Sequence, residues 1–173
     1  MSGIAKLKER LAGCLEGQPG LENADIFPAW PQKRPLPLKS PAIAIGLDGA
    51  EVTPAGLGGY LGRDAKESEY YGSSAQITLR FDIFAPAGYR EGLPSGGIHN
   101  IYEALCEALI KGADGFGVTR VRCGDTGWDE ASNAFCLTAR VSLRAAMTYG
   151  ESENAQASCP GFTDFTLRSE LIV

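Results

Sequence analysis

Apolar residues alternate with polar or small ones along residues 135–149, the longest regular pattern in the chain. The odd positions are apolar, and the even positions include Arg140 and Arg144. A side-chain period of two predicts a β-strand with one buried face and one wet face. At roughly 3.3 Å per residue this strand is about 45 Å long, longer than most strands. We therefore expect it to run through the centre of a sheet or to project beyond it.

Three other stretches have a clear period. Residues 75–85 alternate in the same way, with Leu79 and Phe81 on one side and Arg80 on the other. Residues 2–15 and 96–111 carry apolar side chains every three or four positions, which is typical of a helix with one buried stripe. Shorter strands are predicted at 42–45, 51–53 and 118–123, and turns at 47–49 and 124–133.

Strands with one apolar face and helices with one apolar stripe predict a two-layer α+β domain. We expect a mixed, mostly antiparallel, twisted sheet with two helices packed on one face. Residues 1–150 form this single domain in the prediction, and residues 151–173 form a linker and a C-terminal strand-forming arm.

Two segments of the domain lack a period. Six prolines in residues 17–41 are incompatible with a helix or a central strand. We interpret this segment as a surface connector pinned to the core by Ile26, Phe27 and Trp30; the alternative is a ligand for a proline-binding module. Residues 54–74 form a long loop, rich in Gly and Tyr, of the kind that serves function or is ordered by a partner. Its candidate interface residues are Tyr60, Tyr70 and Tyr71.

The arm begins with a polar linker at 151–158 and recovers alternation at 165–173. A strand that follows a flexible linker is a candidate for pairing with a neighbouring subunit. The interface residues predicted there are Phe162, Phe165, Leu167 and Leu171.

Composition narrows the function classes. The formal net charge of −5 argues against a large basic surface for nucleic acid. The chain shows neither a signal peptide nor an apolar run long enough to span a bilayer, and the odd count of five cysteines suggests free thiols. We expect no membrane partner.

The candidate chemistry is weak. His99 is the single histidine, and no nucleophile has a supporting motif for a Ser/His/Asp triad. The glycines at 56–62 lack the ending of a phosphate-binding loop, and the acidic residues at 125–130 lack calcium-loop spacing. We therefore predict no catalytic residue, no cofactor, no metal site and no enzyme activity.

Arginines recur on the polar faces of the predicted strands. Arg80, Arg140 and Arg144 share this pattern, and Arg120 and Arg122 extend it. One interpretation is an anion-binding face, and the other is pairing across strands with Asp82 and other carboxylates. The negative net charge favours the second. We include Arg140 and Arg144 among the predicted interface residues.

The order of elements resembles that of the tail terminator, or tail completion, proteins of long-tailed phages and related prophages. The resemblance covers about residues 1–149 and is carried by residues 41–51, 76–85, 101–110 and 118–149. A strand of the ITLRFDIFA kind leads to a helix of the IYEALCEAL kind, and two strands joined by an acidic turn at 127–130 follow. The chain departs from the family pattern in its Pro-rich segment 28–41 and in its added arm 151–173.

The resemblance implies a non-enzymatic structural protein of the virion. Such a protein forms a ring, typically a hexamer, that caps the tail tube, stops its polymerisation and joins it to the head-side connector. The implied partners are further copies of the chain, the tail tube protein and a connector or neck protein, with DNA passing through the channel. The implied location is the virion tail or neck, after assembly in the host cytoplasm. An acidic protein suits such a channel, since a basic lumen would bind phosphate.

Two alternatives belong to other classes. Another neck, tube or baseplate component of the same particle would share the layered architecture, and its position in the particle would distinguish it. A small enzyme or nucleic-acid-binding module would require a polar cleft or a basic patch.

Overall fold

The computed structural model describes residues 3–30, 38–54, 59–63, 69–89, 97–112, 116–149 and 165–168. Helix α1 spans Gly3–Leu15, and helix α2 spans Ile98–Glu107 and continues into a π-helical turn, Ala108–Gly112. The strands are β1 (Asp25–Phe27), β2 (Ala42–Pro54), β3 (Tyr60–Arg63), β4 (Glu69–Pro86), β5 (Val118–Asp129), β6 (Ala134–Tyr149) and β7 (Phe165–Arg168).

Five of these strands form a sheet in the order β1-β2-β4-β6-β5, while β3 pairs with β4 and β7 pairs with β6. The β1–β2 pair is parallel and the other pairs are antiparallel. The predicted α+β class, with a mixed and mostly antiparallel sheet and two helices, is confirmed.

The helices cover one face of the sheet. Inward-facing residues of β4 and β6 form one hydrophobic cluster with the apolar stripes of both helices. Leu79, Phe81 and Val141 are fully buried at its centre. The sheet positions in between carry side chains such as Arg80 and Arg140, which are exposed. The alternation in residues 75–85 and 135–145 therefore predicted correctly which face of each strand is buried.

Strand β2 corrects one prediction. The Asp-Gly pair at 48–49 predicted a turn between two short strands, but residues 42–54 form one strand that pairs with β4 throughout. Asp48 has no direct partner on β4 and forms a β-bulge, so the pairing register shifts between Leu47 and Gly49. A turn is not formed because β4 offers a partner along the whole of β2.

The predicted loop 54–74 and the predicted turn 124–133 are also corrected. Strand β3 and the first residues of β4 form an antiparallel pair within residues 54–74. Strand β5 runs on to Asp129 past a bulge between Cys123 and Thr126, so that its turn to β6 occupies only residues 130–133. In each case a neighbouring strand supplies backbone partners that the residue types do not reveal.

The prediction that Ile26, Phe27 and Trp30 pin the Pro-rich connector to the core is confirmed for Ile26 alone, because Phe27 and Trp30 pack on the opposite face of the sheet. Strand β1 lies at the edge of the sheet, where Ile26 is buried in the core. The ring of Trp30 lies 6.0 Å from that of Phe27 and 5.2 Å from that of Phe84. Leu38 N donates to Ser132 O at 3.3 Å and links the connector to the β5–β6 turn.

The arm corrects a further prediction. Residues 165–168 pair with 146–149 of β6 in the same chain, so the expected pairing with a neighbouring subunit is wrong for these residues. The reason lies in the strand lengths. Strand β4 follows β6 as far as Thr148, but β5 pairs no further than Leu143, which leaves one edge of β6 for β7. Because this edge and β7 belong to the same chain, each is present at a high effective concentration for the other, which favours pairing within the chain.

Leu79 and Leu47 provide a matched test of the core. They are direct partners on β4 and β2, yet Leu79 is 0% exposed and Leu47 is 48% exposed. We expect Leu79→Ala to lower the free energy of unfolding by about 2–5 kcal/mol, because it leaves a cavity. Leu47→Ala should lower it by less than about 1 kcal/mol. Equal losses in denaturant titrations would contradict this packing.

Candidate assembly interface

Three arginines form a row across the face of the sheet that the helices leave uncovered. Arg80 on β4 is the direct partner of Arg140 on β6, and Arg140 is the direct partner of Arg122 on β5. Like charges directly opposite one another in a sheet are destabilising. The row therefore needs carboxylates, which come from within the chain or from a partner.

Two of the three arginines have carboxylate partners. Arg80 Nε lies 3.0 Å from Asp82 Oδ2 on the same strand, and Asp82 Oδ1 accepts a hydrogen bond from Thr138 Oγ1 at 3.1 Å. Arg140 Nε reaches across β4 to Asp48 Oδ2 at 2.9 Å. The favoured interpretation, pairing across strands, is confirmed for Arg140, whereas the carboxylate partner of Arg80 lies on the same strand. Such partly exposed pairs contribute about 0–1 kcal/mol each.

Three arginines have no carboxylate partner among the described residues: Arg120, Arg122 and Arg144. Their side chains are exposed. Arg144 lies opposite Gln76, and its backbone N–H donates to Gly117 O at 2.9 Å. Uncompensated cations on one sheet face favour a partner that brings carboxylates. The periodicity of residues 118–123 placed Arg120 and Arg122 on a common face, but only the register shows Arg122 beside Arg140.

The predicted tyrosine contacts lie where β3 pairs with residues 69–71 of β4, a pair of strands that we call the tyrosine hairpin. Tyr60 and Tyr71 are direct cross-strand partners, both substantially exposed, and their rings meet edge to face at 5.8 Å. Tyr70 pairs through its backbone with Gly62. Exposed tyrosines in an edge-to-face pair suit a protein interface, because the rings bring apolar area at a low cost in conformational entropy.

Sequence reasoning missed an apolar surface on β2. The helices cover this strand as far as Ile45. There, Lys8 Nζ on α1 donates a hydrogen bond to Ile45 O at 3.4 Å. Beyond it, Leu47 is 48% exposed and Val52 is 51% exposed, on the side of the sheet that carries the core. A signal was present in the sequence. Apolar positions 43, 45 and 47 are followed by 50, 52 and 54, and this one-residue shift of phase is what a bulge produces.

The predicted arm contacts are placed only in part. Phe165 and Leu167 lie on β7, paired through the backbone with Tyr149 and Met147. Phe162 and Leu171 lie outside the described residues. Strand β7 pairs with residues 146–149 of β6, beside the Gly72–Thr148 pair, so residues 165–168 lie at the same end of β6 as the tyrosine hairpin. They also run beside α1.

A cluster of titratable groups lies between α2 and β5. His99 Nε2 and Thr126 Oγ1 are 3.2 Å apart. Burial, together with a hydrogen bond to Cys106, raises the pKa of Tyr102 far above its ordinary range. Partial withdrawal from water raises the pKa of the Cys123 thiol, and Cys106 and Asp125 add to this effect.

These shifts run against nucleophilic chemistry. A reactive cysteine needs a lowered pKa, supplied by a nearby cation or a helix N-terminus. Cys123 has the opposite shift, and its thiol donates to Gly124 O at 3.3 Å. Within the described ranges, no three His, Cys, Asp or Glu side chains are grouped so as to hold a metal ion.

Comparison with protein-family models and with curated protein sequences found no match. In the part of the chain that the structure describes, neither helix has the length and apolar character required to cross a membrane.

The Cys123 environment makes a testable prediction about thiol reactivity. Because its pKa is raised, less Cys123 is thiolate at pH 8 than in an unstructured cysteine peptide, so alkylation by iodoacetamide should be slower. The rate should continue to rise at pH values where that of the peptide has levelled off. Asp125→Asn removes a negative charge, lowers the pKa and should accelerate the reaction, as measured by peptide mass spectrometry. A Cys123 that reacts faster than the peptide would contradict the assignment.

Proposed function

We propose that the protein is a structural subunit that closes into a ring at the end of a phage or prophage tail tube. One observation carries the proposal. From the middle of the sheet to the end that carries the Tyr60–Tyr71 pair, Leu47, Val52 and the two tyrosines present exposed apolar side chains that the helices of the same chain do not cover. Exposed apolar side chains grouped in one region mark contact with another protein.

The layered fold agrees with the element order on which the resemblance to tail terminator proteins rests. In that family, a ring of typically six subunits stops polymerisation of the tube and joins it to the head-side connector. A ring requires two different contact surfaces on each subunit, because a contact between identical patches closes a dimer. The sheet offers two such surfaces, since its two edges are formed by different strands.

We assign the tyrosine hairpin to contact with the tail tube protein or the connector. Its aromatic pair lies at the end of the sheet remote from Trp128, which packs against Phe135. The ladder from Phe135 to Thr148 separates the two ends by roughly 40 Å. The net charge of −5 is compatible with DNA that passes through a channel without being held. No catalytic step is assigned to the protein.

The proposal is tested in cells that express the complete set of tail genes. Deleting the gene for this chain should give tubes of uncontrolled length, and the wild-type gene should restore uniform tails, as measured by electron microscopy. Labelled protein should lie at the head-proximal end of the tail. Uniform tails without the gene would contradict the proposal. Label along the tube or at its tip would instead indicate a tube or baseplate component.

A pair of aromatic substitutions tests the role of the hairpin. Tyr71 and Trp128 are 48% and 45% exposed, at opposite ends of the sheet. We expect Tyr71→Ala to fail to restore uniform tails, because aromatic anchors contribute a large share of interface energy. Trp128→Ala should restore them. The opposite result would remove the hairpin from the interface, and thermal melts of both variants check that each is folded.

A further inference from the structure

The outer half of β2 has an uncovered edge. Strand β1 pairs with Ala42, Ile43 and Ala44, and β4 occupies the other side of β2 along its whole length. From residue 47 to residue 54 the strand is exposed, and no described strand pairs with its outer edge. An exposed edge of this length offers backbone N–H and C=O groups to another strand.

The two faces of this edge differ. On the helix side lie Leu47 and Val52, each about half exposed. On the opposite side lies Glu51, the direct partner of the exposed Gln76. Glu51 is exposed and forms no ion pair with any described residue. The edge is therefore apolar on one face and acidic on the other.

Strand β5 is the opposite edge of the sheet and has the complementary character. Among the described strands it pairs with β6 alone. Its helix side carries Val118 and Val121, which are half-buried partners of Leu143 and Val141. Its outer side carries the exposed Arg120 and Arg122. This edge is therefore apolar on the same face as the first and basic on the face where the first is acidic.

We propose that the outer half of β2 in one copy of the chain pairs with β5 in the next copy, so that one sheet continues from subunit to subunit. Glu51 then lies between Arg120 and Arg122, since direct and diagonal neighbours across a strand pair are within reach of long side chains. On the other face, Leu47 and Val52 pack against Val118 and Val121 of the neighbour.

The charges also select the partner. Arginines on an edge strand oppose pairing with any strand that brings no carboxylate. A contact between two β2 edges would supply no cation to Glu51 and would close a dimer. The contact between β2 and β5 joins different surfaces, so its repetition by rotation closes a ring. The inference rests on the proposed ring and names the contact that forms it.

Charge reversal tests this contact. Glu51→Arg places cation against cation, and Arg122→Glu places carboxylate against carboxylate. In sedimentation measurements over a wide concentration range, we expect each variant alone to self-associate at least about tenfold more weakly than the wild type. An equimolar mixture of the two should recover association, because residues 51 and 122 then carry opposite charges in every contact between unlike copies. Glu103→Arg, an exposed glutamate on α2, is the matched control and should behave as the wild type.

Several outcomes would overturn the contact: single variants that associate as the wild type does, a mixture that associates no better than either variant, or a wild type that stays monomeric throughout. Recovery in the mixture also shows that both variants are folded. The gene-deletion experiment measures tail length in cells, so its outcome is independent of these measurements of self-association. Uniform tails in the absence of the gene would refute the ring function, whereas normal capping by Glu51→Arg alone would refute only this contact.

Discussion

The antiparallel ladder between β4 and β6 is the interaction on which the rest of the structure depends. It runs from the Gly72–Thr148 pair to the Pro86–Ala134 pair without a register shift. Its inner face places Leu79, Phe81 and Val141 where both helices pack. Strands β2, β5, β3 and β7 all pair with one of these two strands. Loss of this ladder would leave the other elements without a common surface.

The ladder was predictable because its information is local. Each strand alternates over many residues, and a period of two specifies which side chains face the core without reference to any partner. Both helices were predictable for the same reason, since the stripes of 2–15 and 96–111 are complete in themselves. The positions of β6, of residues 75–85 of β4 and of both helices therefore follow from hydrophobic periodicity, whereas residues 69–74 of β4 were predicted as loop.

The errors occurred where pairing overrides local preference. Asp48-Gly49 is a good hairpin turn in isolation, but in the fold Asp48 is a bulge whose carboxylate binds Arg140 two strands away. Residues 124–129 contain glycine and aspartate and still extend β5, because β6 supplies backbone partners. Of the candidate site, the tyrosines and arginines could be named from the sequence. The row formed by Arg80, Arg140 and Arg122 required the register, and the exposure of Leu47 and Val52 required knowing where the helices end.

The same ladder explains why the molecule suits assembly. It is longer than the helices that cover it, so its far end presents apolar side chains and strand edges that an isolated subunit would do better to bury. Among the described residues, Arg144 of this ladder and Arg120 and Arg122 of the neighbouring strand β5 have no carboxylate partner, and Glu51 of β2 has no cationic partner. An arrangement that is incomplete on two different edges favours repetition of the same chain around an axis.

A three-dimensional reconstruction of the head-proximal end of an assembled tail would test the proposed ring. We expect a single closed ring of this chain seated on the last layer of the tube, with the tyrosine hairpin at the tube or the connector and β2 of each subunit beside β5 of the next. Density for the chain along the tube or at the distal tip, or an end of the tube without such a ring, would contradict it.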